Sequence, residues 1–230
     1  MPDGSAVKAP DVPRSYDEVL HLIDIPQSPR FVSISRAEGR FIHDWIRDHA
    51  LSRTLEVGLA HGASAAAILA AHTGLHTCID PFQHKDYDNK GLANLDALGY
   101  RERVIFYEDY SHTVLPRLAG DKQRYDFVFI DGDHRFDHIF IDFYYADLLL
   151  ADGGYLLLHD AWMRSTQLVA SFIRHNRRNY RRVQGAGLNL LLFQKSGRHL
   201  TAWYHFREFY SLRGMLSNAA ISTLMRIFKR

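Results

Sequence analysis

The chain has 230 residues, of which 47% are hydrophobic and 23% charged, with a formal net charge of +2. That length suits a single α/β-type domain with a sizeable core, and the lone cysteine, Cys78, excludes an internal disulfide and is read as a sign of a reducing, cytoplasmic setting. No apolar run is long enough for a membrane span, and the polar opening residues do not read as a signal peptide.

The charge is unevenly spread. Residues 161–230 hold 13 Lys or Arg against one acid, Glu208, whereas the preceding residues hold 15 bases and 25 acids. Such a basic rear suggests an anionic partner, whether an acidic substrate, a membrane surface or nucleic acid, or else a solvated helix face.

In chain order, residues 1–35 read as an N-terminal arm and short helix: residues 1–14 hold three of the seven prolines and look like a loose arm, and a short helix is expected over Tyr16–Ile25. Ser35 and Glu38 have capping-box spacing, and Phe41, Ile42, Trp45 and Ile46 have helical spacing, so a helix is expected over 36–50. A strand follows at Leu55–Val57, then a helix over Ala63–Ala71 and a strand over His76–Asp80. Polar residues 82–90 read as a loop above a pocket. Further helices are expected at Leu92–Leu98, Thr113–Leu118, Ile139–Leu150 and Trp162–Asn176, and further strands at Val104–Tyr107, Phe127–Asp131 and Tyr155–His159. Asp152-Gly-Gly154 reads as the turn into the last of these. Arg181–Gln184 and Leu188–Gln194, split by Gly185-Ala-Gly187, suggest an antiparallel pair. Trp203–Tyr210 and Met215–Phe228 read as helices, the second with an apolar stripe flanked by Arg213, Arg226, Lys229 and Arg230.

Regular alternation of strand and helix predicts an α/β fold: Rossmann-like, doubly wound, with a mainly parallel seven-stranded sheet and a terminal antiparallel strand pair. The core domain is expected over 36–195, with a basic helical extension over 196–230 that packs on the core, forms a homodimer or lies on a membrane surface.

The segment Thr54-Leu-Glu-Val-Gly-Leu-Ala-His-Gly-Ala-Ser64 carries the most chemistry. Gly58 and Gly62 let backbone approach a ligand, and the following helix start offers free N–H groups to an anion. Asp80 lies 18 residues past Gly62, near the spacing of a carboxylate that grips ribose hydroxyls. Glu56 and Ser64 are further candidate contacts. The glycines are four apart, unlike the dinucleotide fingerprint, which disfavours an NAD-linked enzyme.

Glu56-Val-Gly58-Leu-Ala-His-Gly62, with Asp80 after it, resembles the first motif and second acidic position of class I S-adenosylmethionine-dependent methyltransferases over about residues 36–194. Phe127-Val-Phe-Ile-Asp131-Gly-Asp133-His134 and Gly153-Gly154-Tyr-Leu-Leu-Leu-His159-Asp160 are similar to a subgroup of small O-methyltransferases, which includes catechol-type, macrolide sugar and cephalosporin-biosynthesis enzymes. The resemblance implies S-adenosyl-L-methionine as cofactor, a small-molecule hydroxyl acceptor, and a cofactor site of Glu56, Gly58, Gly62, Ser64, Asp80, Asp109, Tyr110 and Asp131. Asp109 would accept from the adenine amine and Tyr110 would stack on its ring. It also implies a divalent metal, Mg²⁺ or Mn²⁺, on Asp131 and Asp160. The subgroup commonly places two adjacent acidic or amide residues at the second of these strand ends, where this chain has His159 beside Asp160; His159 is the third candidate ligand. His134 occupies the position of a catalytic lysine in catechol-type relatives, which makes it the expected general base, with Asp131 beside it; capping of the next helix is its bland alternative. Tyr87, Trp162 and Arg164 are the expected acceptor contacts. The rival reading is a binding module of the same fold that holds a membrane or nucleic acid through its basic rear.

Overall fold

The computed structural model describes residues 14–25, 33–186, 189–200, 202–209 and 223. Two compact units divide the chain, Met1–Val114 and Leu115–Arg230.

The first unit contains α1 (Tyr16–Leu20), α2 (Arg36–Asp48), β1 (Thr54–Val57), α3 (Ala63–Ala71), β2 (His76–Ile79), α4 (Gln83–Asp86), α5 (Lys90–Ala97) and β3 (Val104–Tyr107). Ser35 and Glu38 form the expected capping box: Glu38 N donates to Ser35 Oγ at 3.3 Å, and Ser35 N donates to Glu38 Oε2 at 2.6 Å. Two orphan N–H groups are thereby satisfied at the start of α2. α3 is buried on every side, which its Ala-rich sequence allows because small side chains let neighbours approach closely. α1 and α2 pack on it. Gly39 of α2 is required there, since a Cβ would lie 2.2 Å from the buried Tyr16 ring. β1 pairs in parallel with β2, and β2 with β3. β1 and β2 are wholly buried, and their polar side chains Thr54, Glu56, His76 and Thr77 are buried with them.

After α6 (Ser111–Gly120), the second unit contains β4 (Tyr125–Ile130), α7 (Phe136–Leu149), β5 (Leu150–Leu158), α8 (Arg164–Asn176), β6 (Tyr180–Arg182) and β7 (Leu191–Lys195). β4 and β5 are parallel; β7 runs antiparallel to β5 and to β6. Phe140 and Phe143 of α7 meet Phe172 of α8 at ring separations of 4.9 and 6.3 Å. Phe143 is fully buried, which contributes roughly 1.5–3 kcal/mol, while Phe140 and Phe172 are half-buried. Strand order is β3-β2-β1-β4-β5-β7-β6 in a seven-stranded sheet, mainly parallel with the terminal antiparallel pair.

Three expectations are corrected. Residues 82–90 are not all loop: α4 forms within them, and Gln83 at its start is buried. Asp152–Gly154 is not a turn ahead of a strand but an irregularity inside β5, where the pairing jumps from Tyr125↔Leu150 to Phe127↔Tyr155. Gly153 takes φ 84°, and a Cβ on Gly154 would lie 2.9 Å from Asp126 O, so the glycines serve a bulge. Residues 202–209 are not helical; Asn176 holds the Arg207 backbone in both directions, at 2.8 and 2.9 Å. The expected helix Met215–Phe228, and with it the dimer contact, lies outside the described residues except for Thr223. No helix among the described residues is long and apolar enough to cross a membrane.

Candidate active site

In the first unit, β1 ends in a turn with three left-handed residues, Gly58 (φ 94°), Ala60 (φ 44°) and Gly62 (φ 80°). Gly62 is the N-cap of α3, and neither a side-chain cap nor an acid occupies the first turn. The start of α3 therefore keeps free N–H groups and its positive dipole end, a ready site for a carboxylate. Ser64, buried, stands in that first turn.

Asp80, just past β2, braces the turn. Its Oδ2 accepts from Leu59 N at 3.0 Å and Ala60 N at 2.8 Å, and its Oδ1 accepts from Phe82 N at 2.8 Å. Gln83 Nε2 reaches Asp80 Oδ2 at 3.3 Å and donates to Ala60 O at 2.7 Å. The second acidic position is thus tied directly to the glycine turn, with one Oδ1 lone pair beyond the Phe82 contact to offer a ribose hydroxyl. Gly62 does not face open space: a Cβ on it would lie 2.9 Å from Gly91 O, so α5 abuts the turn.

Glu56 sits elsewhere. It is fully buried, and its Oε2 contacts His76 Nε2 at 3.3 Å and Cys78 Sγ at 3.9 Å. His76 Nδ1 pairs with Thr54 Oγ1 at 2.8 Å, Thr54 Oγ1 with His72 Nε2 at 3.2 Å, and His72 Nδ1 accepts from Gly74 N at 2.9 Å. Every donor in this run finds an acceptor when both imidazoles are neutral and protonated on Nε2. Burial lowers both of their pKa values to about 3, which favours that state. The His72–Thr54–His76–Glu56 chain was not foreseen; the alternation of polar residues within β1 and β2 was its only trace.

Beyond β3, Tyr110 is half exposed and stacks on His112 at 5.2 Å, with Phe82 edge-on at 6.0 Å. Asp109 Oδ1 accepts from Tyr110 N at 2.7 Å. An aromatic face and an acid therefore lie side by side.

In the second unit, the ends of β4 and β5 bring Asp131, His134, His159 and Asp160 together. His134 Nε2 lies 2.6 Å from Asp160 Oδ2 and 3.9 Å from Asp131 Oδ1. His159 Nδ1 lies 3.0 Å from Asp131 Oδ1 and 3.6 Å from Asp160 Oδ2. Asp160 takes φ 51°, and its Oδ1 accepts from Trp162 Nε1 at 2.8 Å and Asn189 Nδ2 at 2.7 Å. Burial alone would raise the Asp160 carboxyl, but hydrogen bonds from His134, His159 and Asn189 outweigh it and hold it well below the ordinary range. The Asp160 hydrogen bond raises His134 above its ordinary value, against the opposing effect of burial. His134 does not cap α7, whose N-cap is Arg135. Asn189 was not singled out from sequence, because it falls in the hairpin beside Gly187 with no motif around it.

The donor atoms of Asp131, His134 and Asp160 lie within 4.8 Å of one another, close enough to share one ion. A set mixing imidazole with carboxylate fits Mn²⁺ better than Mg²⁺, which prefers oxygen throughout.

Residues 55–161 match the family model described as "Methyltransferase domain". No curated protein matches the sequence. Among solved structures, the O-methyltransferase TomG from Streptomyces achromogenes, involved in tomaymycin synthesis and in complex with S-adenosylmethionine, is similar with TM-score 0.63 at 16% identity, over 80% of this chain and 96% of that one. The O-methyltransferase from Bacillus cereus, in complex with S-adenosylhomocysteine, gives TM-score 0.63 at 16% identity, over 80% and 90%. The Podospora anserina methyltransferase PaMTH1, bound to S-adenosylhomocysteine, gives TM-score 0.66 at 14% identity, over 81% and 89%.

Proposed function

We propose that this chain, which carries a methyltransferase domain over residues 55–161, transfers the methyl group of S-adenosylmethionine to a hydroxyl oxygen of a small molecule. The observation that carries the reading is the cluster of Asp131, His134, His159 and Asp160 at the ends of β4 and β5, a proton-accepting assembly following the strands that lead into the site. In the first unit, the uncapped start of α3 suits the ligand's carboxylate, Asp80 a ribose hydroxyl, and Tyr110 the adenine face. The cofactors of TomG and the Bacillus cereus enzyme support this assignment.

In the transfer, the acceptor oxygen attacks the sulfonium methyl, the C–S bond breaks to leave S-adenosylhomocysteine, and the hydroxyl proton passes to the His134–Asp160 pair. Asp160 then stabilises the imidazolium. Most of the rate comes from holding the two reactants in line. A divalent ion, were it held by Asp131, His134 and Asp160, would lower the pKa of an acceptor hydroxyl, and it would then stand in for His134 as the means of deprotonation, because the imidazole nitrogen that binds an ion cannot also take the proton. Calorimetry with S-adenosylmethionine is the direct test: binding is expected at micromolar to millimolar level, and an absence of heat with folded protein defeats the proposal. Restoration of chelator-treated enzyme by Mn²⁺ rather than Mg²⁺ is the expected metal response.

Docking on an anionic membrane surface is a second reading, supported by the aromatic segment in which Trp203 is 95% exposed and Tyr204 74% exposed. Sedimentation with anionic vesicles across a salt series tests it; no association at low salt removes it.

A further inference from the structure

One buried amide joins three parts of the first unit. Asn94 of α5 is 5% exposed. Its Nδ2 donates to His61 O at 2.9 Å and to Asp24 O at 3.0 Å, and its Oδ1 accepts from Asp24 N at 2.9 Å. Both amide hydrogens and the oxygen are thereby used. A flipped amide would set its oxygen against two carbonyls and its hydrogens against an N–H, so the orientation is fixed by the partners. Asp24 is held a second time by Lys90 Nζ, at 2.6 Å across an exposed pair.

His61 stands between Ala60 and Gly62 in the glycine turn. Gly62 N donates to Leu59 O at 2.7 Å, and Gly62 O accepts from Ala66 N at 2.9 Å as the first bond of α3. The His61 carbonyl is the next acceptor upstream. Turned toward the helix, it would take up one of the N–H groups that the uncapped first turn leaves without an intrahelical partner. Asn94 holds it away, so those N–H groups stay available to an anion. Shape acts in the same sense. A Cβ on Gly91 would lie 2.5 Å from Ala60 O, and a Cβ on Gly62 would lie 2.9 Å from Gly91 O. Gly91 and Asn94 are three apart and share one face of α5. That face therefore meets the turn twice, by close backbone at Gly91 and by hydrogen bond at Asn94.

We propose that Asn94 is a positioning residue for the cofactor: by holding the His61 carbonyl it keeps the first-turn N–H groups of α3 for the carboxylate of S-adenosylmethionine, and with the same amide it ties the segment at Asp24 to that arrangement. The inference rests on the reading of the α3 start as the seat of that carboxylate. The amino-acid half of the ligand then senses Asn94, and the nucleoside half, at Asp80 and Tyr110, does not. The tie is reciprocal: a ligand that favours the held turn also favours the held Asp24 segment.

The test titrates S-adenosylmethionine and 5′-methylthioadenosine, which lacks the amino-acid half, into the full chain and into Asn94→Ala, Asn94→Asp and Lys90→Ala, with binding followed by calorimetry. Asn94→Ala should weaken S-adenosylmethionine about tenfold and methylthioadenosine by less than about twofold. Asn94→Asp still accepts from Asp24 N but cannot donate to His61 O, so it should lose as much as Asn94→Ala. Lys90→Ala removes the exposed pair to Asp24 and should leave both affinities unchanged. Equal losses of the two ligands in Asn94→Ala, full affinity in Asn94→Asp, or a loss in Lys90→Ala equal to that in Asn94→Ala each overturn the proposal. Hydrogen exchange on the wild type needs no variant to fold. S-adenosylmethionine should slow exchange of the Asp24 amide at least about fivefold, and an unchanged rate overturns the proposal as well. Wild-type binding of S-adenosylmethionine that Asn94→Ala retains in full sinks this inference alone. A folded wild type that binds no S-adenosylmethionine sinks the methyltransferase reading itself.

Discussion

His134 Nε2 lies 2.6 Å from Asp160 Oδ2, while Asp160 Oδ1 is held by Trp162 and Asn189. One carboxylate oxygen is anchored so that the other is aimed. A side chain fixed this way orients its imidazole partner without losing rotamer freedom at the moment of reaction.

His134→Ala and Asp160→Asn are therefore each expected to lower kcat about 100-fold, with cofactor affinity held within about twofold. The double variant should be little worse than either single one, because the two residues act as a unit. Single-turnover rates of the three variants check this; additive losses would show independent roles.

Asp80→Asn weakens the acceptor that braces Leu59, Ala60 and Phe82. Hydrogen bonds to a charged group are worth about 1.5–3 kcal/mol, so S-adenosylmethionine affinity should fall about 10- to 100-fold. Calorimetry on the variant provides the measurement, and an unchanged dissociation constant would remove Asp80 from the cofactor site.

Gly62→Ala places a Cβ at φ +80° and 2.9 Å from Gly91 O. Strain of about 1–3 kcal/mol is expected, seen as a lower urea midpoint, together with loss of cofactor binding as the turn shifts off α5. Gly153→Ala, with φ +84° but nothing within 4 Å of its Cβ, separates the conformational cost from the steric one.

His72 and His76, both near pKa 3 in the fold against an ordinary 6.5, set an acid limit on stability. Below 6.5 the unfolded chain takes up protons that the folded chain refuses, so stability falls as pH drops from 6.5 toward 3. The slope approaches about 1.4 kcal/mol per pH unit for each histidine. Urea midpoints across that range measure it, and His72→Gln should remove about half of the slope.

The regular elements were readable where local signals agree with burial. Ser35 and Glu38 announced α2, and the runs around Phe127–Ile130 and Leu156–Leu158 announced the paired strands of the second unit. Gly62, Asp80, Asp131, His134 and Asp160 were legible as a pattern because their spacing follows strand ends. What they bond to was not. Glu56 belongs to a motif, yet its partner His76 is set by the register that pairs β1 with β2, and register is not written in either strand alone. Asn189 and Asn94 escaped for the same reason: each acquires its neighbour through tertiary placement. Residues 202–209 misled because aromatic spacing imitates a helix, whereas Asn176 holds the Arg207 backbone and competes with helical pairing.

The irregularity at Ala151–Gly154 separates two stretches of pairing, one ending at Tyr125↔Leu150 and the other running from Phe127↔Tyr155 to Ile130↔Leu158. Only the second fixes where His159 and Asp160 emerge. Chain length can therefore change in the bulge, by insertion or deletion, without flipping those two side chains, while a one-residue change between Tyr155 and Leu158 would exchange them across the sheet. Loop grafting into this protein has its safe entry point there.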